Sequence, residues 1–221
     1  MLKALIFDMD GTLADSDPVH LKAFVEFLAP FGVTVDEEVY RTTISGRSNA
    51  LIFADLLPDH SPEERERFAD EKEAVFRRLA TEMQPLDGLL ELLDWADARG
   101  IGLGIVTNAP KANLTHTLQA LGIGDRFDVL VSAEDVARGK PDPLPYRTAL
   151  ERLGIRADEA VVFEDSVAGV QAAKAAGIHT FGVLTGQPEA VLCDAGANAT
   201  LCDFQDRGLW DHLQARLMPA A

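Results

Sequence analysis

The stretch that most constrains this chain is Leu2-Lys3-Ala4-Leu5-Ile6-Phe7-Asp8-Met9-Asp10-Gly11-Thr12. Its near-continuous apolar run from Leu2 to Phe7 predicts a strand buried on both faces of a parallel sheet. The run ends abruptly on two carboxylates. If the backbone stays extended through Met9, Asp8 and Asp10 leave the same side of it, and Gly11 then allows a sharp turn. Two like charges at the end of a buried strand repel unless a cation joins them or one carboxyl stays protonated. The alternative at this point is a polar loop that begins with two solvated acids.

The rest of the chain divides by texture. From about Asp15 to Leu86 the pattern is helical. Leu21, Phe24, Phe27, Leu28 and Phe31 recur at helical spacing after Pro18, and Gly32 closes that helix. A second helix is expected over Asn49–Leu57. Ser61-Pro62-Glu63-Glu64 is a helix start with a capping box, and Phe68, Val75, Phe76, Leu79 and Met83 line one face beyond it. From Asp87 onward strands alternate with helices, the signature of a parallel sheet with crossovers. Strands are expected over Gly102–Thr107, Asp128–Ser132, Ala160–Glu164 and Thr180–Leu184, with helices near 86–99, 111–121, 144–153 and 167–176. A helical block is thus inserted between the first strand and the rest of an α/β core.

In open α/β sheets, ligands bind beyond the carboxyl ends of the strands. There this chain places Asp8 and Asp10, then Thr107-Asn108, then Glu164-Asp165-Ser166, joined by the loop Gly139-Lys140-Pro141-Asp142-Pro143. Thr107-Asn108-Ala109-Pro110 leads from a strand into a helix, where free N–H groups favour an anion; the alternative is a helix cap by Asn108. Lys140 precedes a proline on a stiff loop, or else is a solvated lysine before a helix start. Clustered carboxylates from Asp8, Asp10 and Asp165 make a hard oxygen site suited to Mg²⁺. Lys140 and Thr107 suit the oxygens of a phosphoryl group.

These four motifs, in this order, resemble those of the haloacid dehalogenase superfamily. Asp8-Met9-Asp10-Gly11-Thr12, Thr107 in Ile105-Val106-Thr107-Asn108, Lys140 in Gly139-Lys140-Pro141-Asp142-Pro143, and Glu164-Asp165-Ser166 correspond to its first to fourth motifs. The position of the helical insert resembles the branch that includes phosphoglycolate phosphatase and β-phosphoglucomutase. The resemblance implies a Rossmann-like parallel-sheet core over residues 1–14 and 86–221 with a four-helix-bundle cap over residues 15–85. It further implies a Mg²⁺-dependent phosphatase acting on a small phosphate monoester. Asp8 would be the nucleophile and Asp10 the general acid and base; Thr107, Asn108 and Lys140 would bind phosphate. Asp8, Asp165, the Asp10 carbonyl and, through water, Glu164 would hold the metal.

Substrate choice falls to the cap, where His20, Arg47 and Lys72 are the candidates. His20 and Lys72 lie on apolar stripes, so each either joins the site or, for Lys72, snorkels to the rim. Arg47 follows Gly46 in a loop that resembles the family's specificity loop, and could pair with a carboxylate or second phosphate. Sugar mutases of this branch carry a lysine just before that glycine and an arginine three after it. Here those places hold Ser45 and Asn49, which favours hydrolysis over a β-phosphoglucomutase-like transfer. A fold-retaining binding protein without catalysis is a further alternative.

Lys+Arg 20 against Asp+Glu 36 gives a net charge of −16, which excludes nucleic acid and anionic membrane as primary partners. The early apolar run is too short for a signal peptide or spanning helix, so a cytoplasmic protein is expected, as a monomer or weak dimer. Cys193 and Cys202 fit no ligand spacing and are expected to be buried, reduced thiols.

Overall fold

The structure is a computed structural model that describes residues 1–45 and 47–217. The chain forms two compact units, Met1–Asp15 with Gln84–Ala221, and Ser16–Met83.

The first unit holds one parallel sheet. Its strands are β1 (Ala4–Phe7), β2 (Gly102–Val106), β3 (Val129–Val131), β4 (Ala160–Glu164), β5 (His179–Val183) and β6 (Ala199–Leu201), in the order β3-β2-β1-β4-β5-β6. β1 is central and buried at every position, which accounts for its unbroken apolar sequence. Alternation along the strands sorts side chains between the two faces. Phe7, Phe163 and Phe181 stack side by side on one face, with centroids 4.9 and 5.8 Å apart, and Phe204 closes edge-on over Phe7 and Phe163. Ile6, Val106 and Val162 lie on the other, packed with Tyr146, Ala149 and Leu150. Crossover helices of this unit are α5 (Leu89–Asp97), α6 (Lys111–Ala120), α7 (Leu144–Leu153), α8 (Val167–Ala175), α9 (Glu189–Ala195) and α10 (Arg207–Leu217).

The second unit is helical. It comprises α1 (Asp17–Leu28), α2 (Glu37–Val39) running on into a π-helical turn (Tyr40–Ile44), α3 (Asn49–Leu56) and α4 (Pro62–Leu79). The α4 start forms the expected capping box: the Ser61 hydroxyl accepts from the Glu64 N–H while the Glu64 carboxylate accepts from the Ser61 N–H. Phe24, Leu28, Tyr40, Phe53 and Phe68 make its core, and the Tyr40 hydroxyl donates to Asp17 at 2.8 Å.

Three differences from the sequence expectations have physical reasons. The helix over 37–44 carries little apolar periodicity; it is started by the Asp36 side chain, which accepts from the Val39 N–H. β6 is only three residues long at the sheet edge and leaves almost no apolar run to read. Both cysteines are free but exposed, contrary to the expectation of burial. Cys193 sits on the short helix α9 and Cys202 just beyond the edge strand. Among the described residues no helix is long and apolar enough to cross a membrane.

At the amino-terminal end of β5, His179 stacks on His212 of α10 with centroids 4.2 Å apart, and neither Nε2 atom, both buried, has a hydrogen-bond partner. Burial, then His212 and Arg216, push His179 down to about 4; burial and Arg216 also lower His212. The unfolded chain therefore binds protons that the folded chain refuses between pH 6.5 and 4, and stability falls as pH drops through that window. Urea unfolding of His179→Phe against the parent should show the variant losing less stability from pH 7 to pH 5. The expected difference is about 1 kcal/mol after allowing for partial exposure. Identical losses would show that the stack does not oppose protonation.

Candidate active site

Strand register builds the site. Phe7 of β1 pairs with Phe163 of β4 and with Ile105 of β2. One residue further on, Asp8 and Glu164 leave neighbouring strands side by side, on the face opposite the phenylalanine stack. That is the face on which α7 packs, and both carboxylates are buried there.

Lys140 enters this cluster from the loop before α7. Its ammonium, 3% exposed at the side chain, donates to Asp8, to Glu164 Oε1 at 2.5 Å and to the Val106 carbonyl at 2.7 Å. Three N–H donors thus meet three acceptors. Burial works to lower the Lys140 pKa, but Asp8 and Glu164 outweigh it and hold the group well above its ordinary value. Burial pushes Asp8 up to about 8 against the pull of Lys140, with Glu164 and Asp10 adding to the rise. Carboxylates in this pocket therefore outnumber cations.

Two glycines make room for the acids. Gly11 has φ +76°, and a Cβ there would stand 2.3 Å from Asp165 Oδ2. A Cβ on Gly169 would lie 1.9 Å from the Glu164 carboxylate. Asp8, Glu164 and Asp165 consequently converge, each offering an oxygen within 4.8 Å of the others. Asp10, expected in this cluster, is not one of the three carboxylates. The strand ends at Phe7, and the Asp10 backbone forms a bridge with Ala14 in the following turn, while its charge adds to the rise of Asp8.

Thr107 is buried just past β2, where its hydroxyl oxygen accepts from the Ala109 N–H at 3.0 Å. Its own proton remains to donate. Asn108 does not cap α6, whose N-cap is Pro110. Its amide grips the Lys140 backbone from both sides, Oδ1 accepting from the Lys140 N–H at 2.9 Å and Nδ2 donating to the Lys140 carbonyl at 3.2 Å. Lys140 is thereby fixed at its main chain as well as at its tip.

The helical unit carries its own polar cluster. Lys72 does not snorkel. It is 1% exposed, its ammonium lies 4.4 Å from the Phe24 ring centroid and 2.5 Å from Glu73 Oε1. Glu73 also accepts from Asn49 Nδ2 at 2.7 Å. Burial alone would raise the Glu73 pKa, but Lys72, His20 and Asn49 hold it below the ordinary value. His20 stacks on Phe76 with centroids 3.9 Å apart. Arg47 donates to Asp55 Oδ2 and to the Thr43 carbonyl, each at 2.7 Å. Its guanidinium is therefore engaged within the unit.

Similarity to known proteins agrees with this geometry. The profile described as haloacid dehalogenase-like hydrolase matches residues 5–183. The chain belongs to that family. A validoxylamine A 7′-phosphate phosphatase of Streptomyces hygroscopicus subsp. limoneus is 35% identical over 88% of this chain and 92% of its own length. A phosphorylated carbohydrates phosphatase of Thermotoga maritima is 34% identical over 90% and 93%. Among solved structures, a mutant CbbY from Rhodobacter sphaeroides in complex with xylulose-(1,5)bisphosphate has a TM-score of 0.81 at 29% identity, over 94% and 97% of the two chains.

For a haloacid dehalogenase-like hydrolase the divalent cation can be tested on the chemistry of the donors. Three carboxylates converge, two of them share a single ammonium, and burial holds Asp8 up to about 8; an added positive charge is what this set lacks. All-oxygen donors fit Mg²⁺. Two side chains of the clusters escape sequence reasoning. Glu73 was hidden by its neighbour Lys72 on the same helix. Tyr146, fully buried in α7, donates to Glu164 Oε1 at 2.5 Å; six residues beyond Lys140, it reads in sequence only as part of a helix.

The glycine at 169 yields a direct test. Gly169→Ala should lower stability by about 1–3 kcal/mol in urea unfolding, because Glu164 cannot retreat from its buried contacts. Unchanged stability would mean that the Glu164 carboxylate has room to move.

Proposed function

We propose that this hydrolase is a cytoplasmic, Mg²⁺-dependent phosphatase of a small phosphorylated carbohydrate or organic acid, acting through an aspartyl-phosphate on Asp8 as a monomer or weak dimer. The observation that carries the reading is the buried convergence of the Asp8, Glu164 and Asp165 carboxylates, two of which, Asp8 and Glu164, meet the Lys140 ammonium. The names of the curated relatives, both phosphatases of phosphorylated sugars or sugar-like compounds, support the substrate class.

Asp8 attacks phosphorus in line, and the bond to the leaving oxygen breaks as the bond to the Asp8 carboxylate forms. Asp10 gives that oxygen a proton. Asp10 then takes one from the water that attacks the aspartyl-phosphate, releasing inorganic phosphate and restoring Asp8. Lys140 holds the nucleophile's orientation and offsets the charge that builds on the phosphoryl oxygens, while the Thr107 hydroxyl donates to one of them. Asn108 serves the phosphoryl group through the Lys140 loop that it grips. Asp8, Asp165, the Asp10 carbonyl and, through water, Glu164 would hold Mg²⁺, which when bound supplies positive charge beside the transferring group.

Choice of leaving group is assigned to the helical unit. Lys72 and His20, with Glu73 and Asn49 beside them, offer donors and acceptors suited to a polyhydroxy substrate. Arg47, tied to Asp55 and Thr43, supports a recognition loop rather than a free anion receptor. Asn49 stands where sugar mutases carry arginine, and its amide is taken by Glu73. That favours hydrolysis over return of the phosphoryl group to a sugar hydroxyl.

Incubation with Mg²⁺, β-glucose 1-phosphate and a trace of glucose 1,6-bisphosphate separates the two outcomes. Inorganic phosphate should appear faster than glucose 6-phosphate, and Asp8→Asn should abolish release from p-nitrophenyl phosphate as well. Faster formation of glucose 6-phosphate would overturn the phosphatase reading, and an active Asp8→Asn would overturn the covalent route.

A further inference from the structure

The side chain that organises the Lys140 cluster from behind is a tyrosine. Tyr146 lies in the first turn of α7, wholly buried, with its hydroxyl 2.5 Å from Glu164 Oε1. The same oxygen receives the Lys140 ammonium at 2.5 Å, and the ammonium stands 5.4 Å from the centroid of the Tyr146 ring. Glu164 Oε2 accepts from the Ser166 hydroxyl at 3.2 Å, and the backbone at Gly169 closes the remaining side. Glu164 is thus enclosed, and Tyr146 is the neutral donor on the oxygen that Lys140 also meets.

We infer that Tyr146 is a positioning residue for phosphoryl transfer: its hydroxyl shares the Glu164 carboxylate with Lys140, and so keeps the Lys140 ammonium directed at Asp8. A buried carboxylate facing a single cation draws that cation towards itself. A second donor on the same oxygen disperses its negative charge and weakens the draw. Asp8, whose competing claim is on the same ammonium, then keeps its partner. Without the hydroxyl, Lys140 shifts towards Glu164, and the nucleophile loses both its orientation and its charge compensation. Substrate contacts are untouched, so the loss falls on kcat and not on KM.

Tyr146→Phe removes the hydroxyl and keeps the ring that packs against Ile6, Val106 and the ammonium. For p-nitrophenyl phosphate, kcat should fall about tenfold with KM changed less than about twofold, as expected for a displaced orienting group. Tyr146→Leu reports on packing alone. If Phe restored the full rate where Leu did not, the ring and not the hydroxyl would matter, and the inference would fail. In the Glu164→Gln background, Tyr146→Phe should have no further effect on kcat, because the route from Tyr146 to Lys140 runs through Glu164; an undiminished additional loss would also overturn it.

The inference rests on the phosphatase reading only for its kinetic arm. ¹⁵N spectra of the Lys140 ammonium, recorded without substrate or Mg²⁺, should show a protected resonance in the parent that shifts and broadens in Tyr146→Phe. An unchanged resonance would contradict the positioning role. Absence of phosphatase activity in the parent would instead contradict the functional reading and leave this measurement intact.

Discussion

Everything in the α/β unit is arranged to keep one lysine charged where there is almost no water. Burying an ammonium or a carboxylate costs several kcal/mol per ion unless geometry and extra hydrogen bonds offset it. Lys140 meets that condition with three acceptors for three N–H groups, on Asp8, Glu164 and Val106. Each of those acceptors comes from a strand end whose position the parallel register dictates. Phe7 opposite Phe163 puts Asp8 beside Glu164, and the same period of two sends both carboxylates away from the phenylalanine stack towards α7. The glycines at 11 and 169, the Asn108 grip on the Lys140 backbone and the Tyr146 hydroxyl all follow from the need to hold these charges close. Burial, with Glu164 and Asp10 adding to it, raises Asp8 against the pull of Lys140, and the excess of carboxylate over ammonium leaves a donor set suited to a divalent cation.

The helical unit solves a smaller version of the same problem. Lys72 is buried against an aromatic face and answered by the adjacent Glu73, which Asn49 helps to satisfy. Charges there cancel internally, and Arg47 is cancelled by Asp55. On the function proposed above, side chains whose charges are already balanced would recognise hydroxyl groups better than a second anion, which would meet Glu73 as well as Lys72.

The central strand and its neighbours were legible because their sequences obey a single rule. β1 and β4 are buried throughout, so their apolar runs stop where the carboxylates begin, and the motif positions followed. α4 was legible from its capping box. β6 and the helix over 37–44 were not, because one is three residues of edge strand and the other is started by a side-chain cap instead of an apolar stripe. Within the site, residue identities at strand ends and in the loop before α7 pointed to Asp8, Glu164, Asp165 and Lys140, which the structure brings together. Partners could not be named that way. Asn108 read as a phosphate ligand or a helix cap and grips a distant loop; Lys72 read as a site residue or a snorkelling lysine and is enclosed; Tyr146 read only as part of the helix over 144–153. In each case the deciding contact joins residues far apart in the chain or on different elements, which no local pattern encodes. The exposed cysteines fail for a similar reason, since burial is set by which face of α9 and which edge of the sheet they occupy.

The central claim is that Asp8, held by Lys140, takes the phosphoryl group before water does. Its most direct test is the stereochemical course of hydrolysis in H₂¹⁷O of a phosphorothioate monoester whose transferred thiophosphoryl group is made chiral by ¹⁶O, ¹⁸O and sulfur. Two successive in-line displacements, first by Asp8 and then by water, predict overall retention at phosphorus. Inversion would mean a single displacement by water, and would contradict the role given to Asp8.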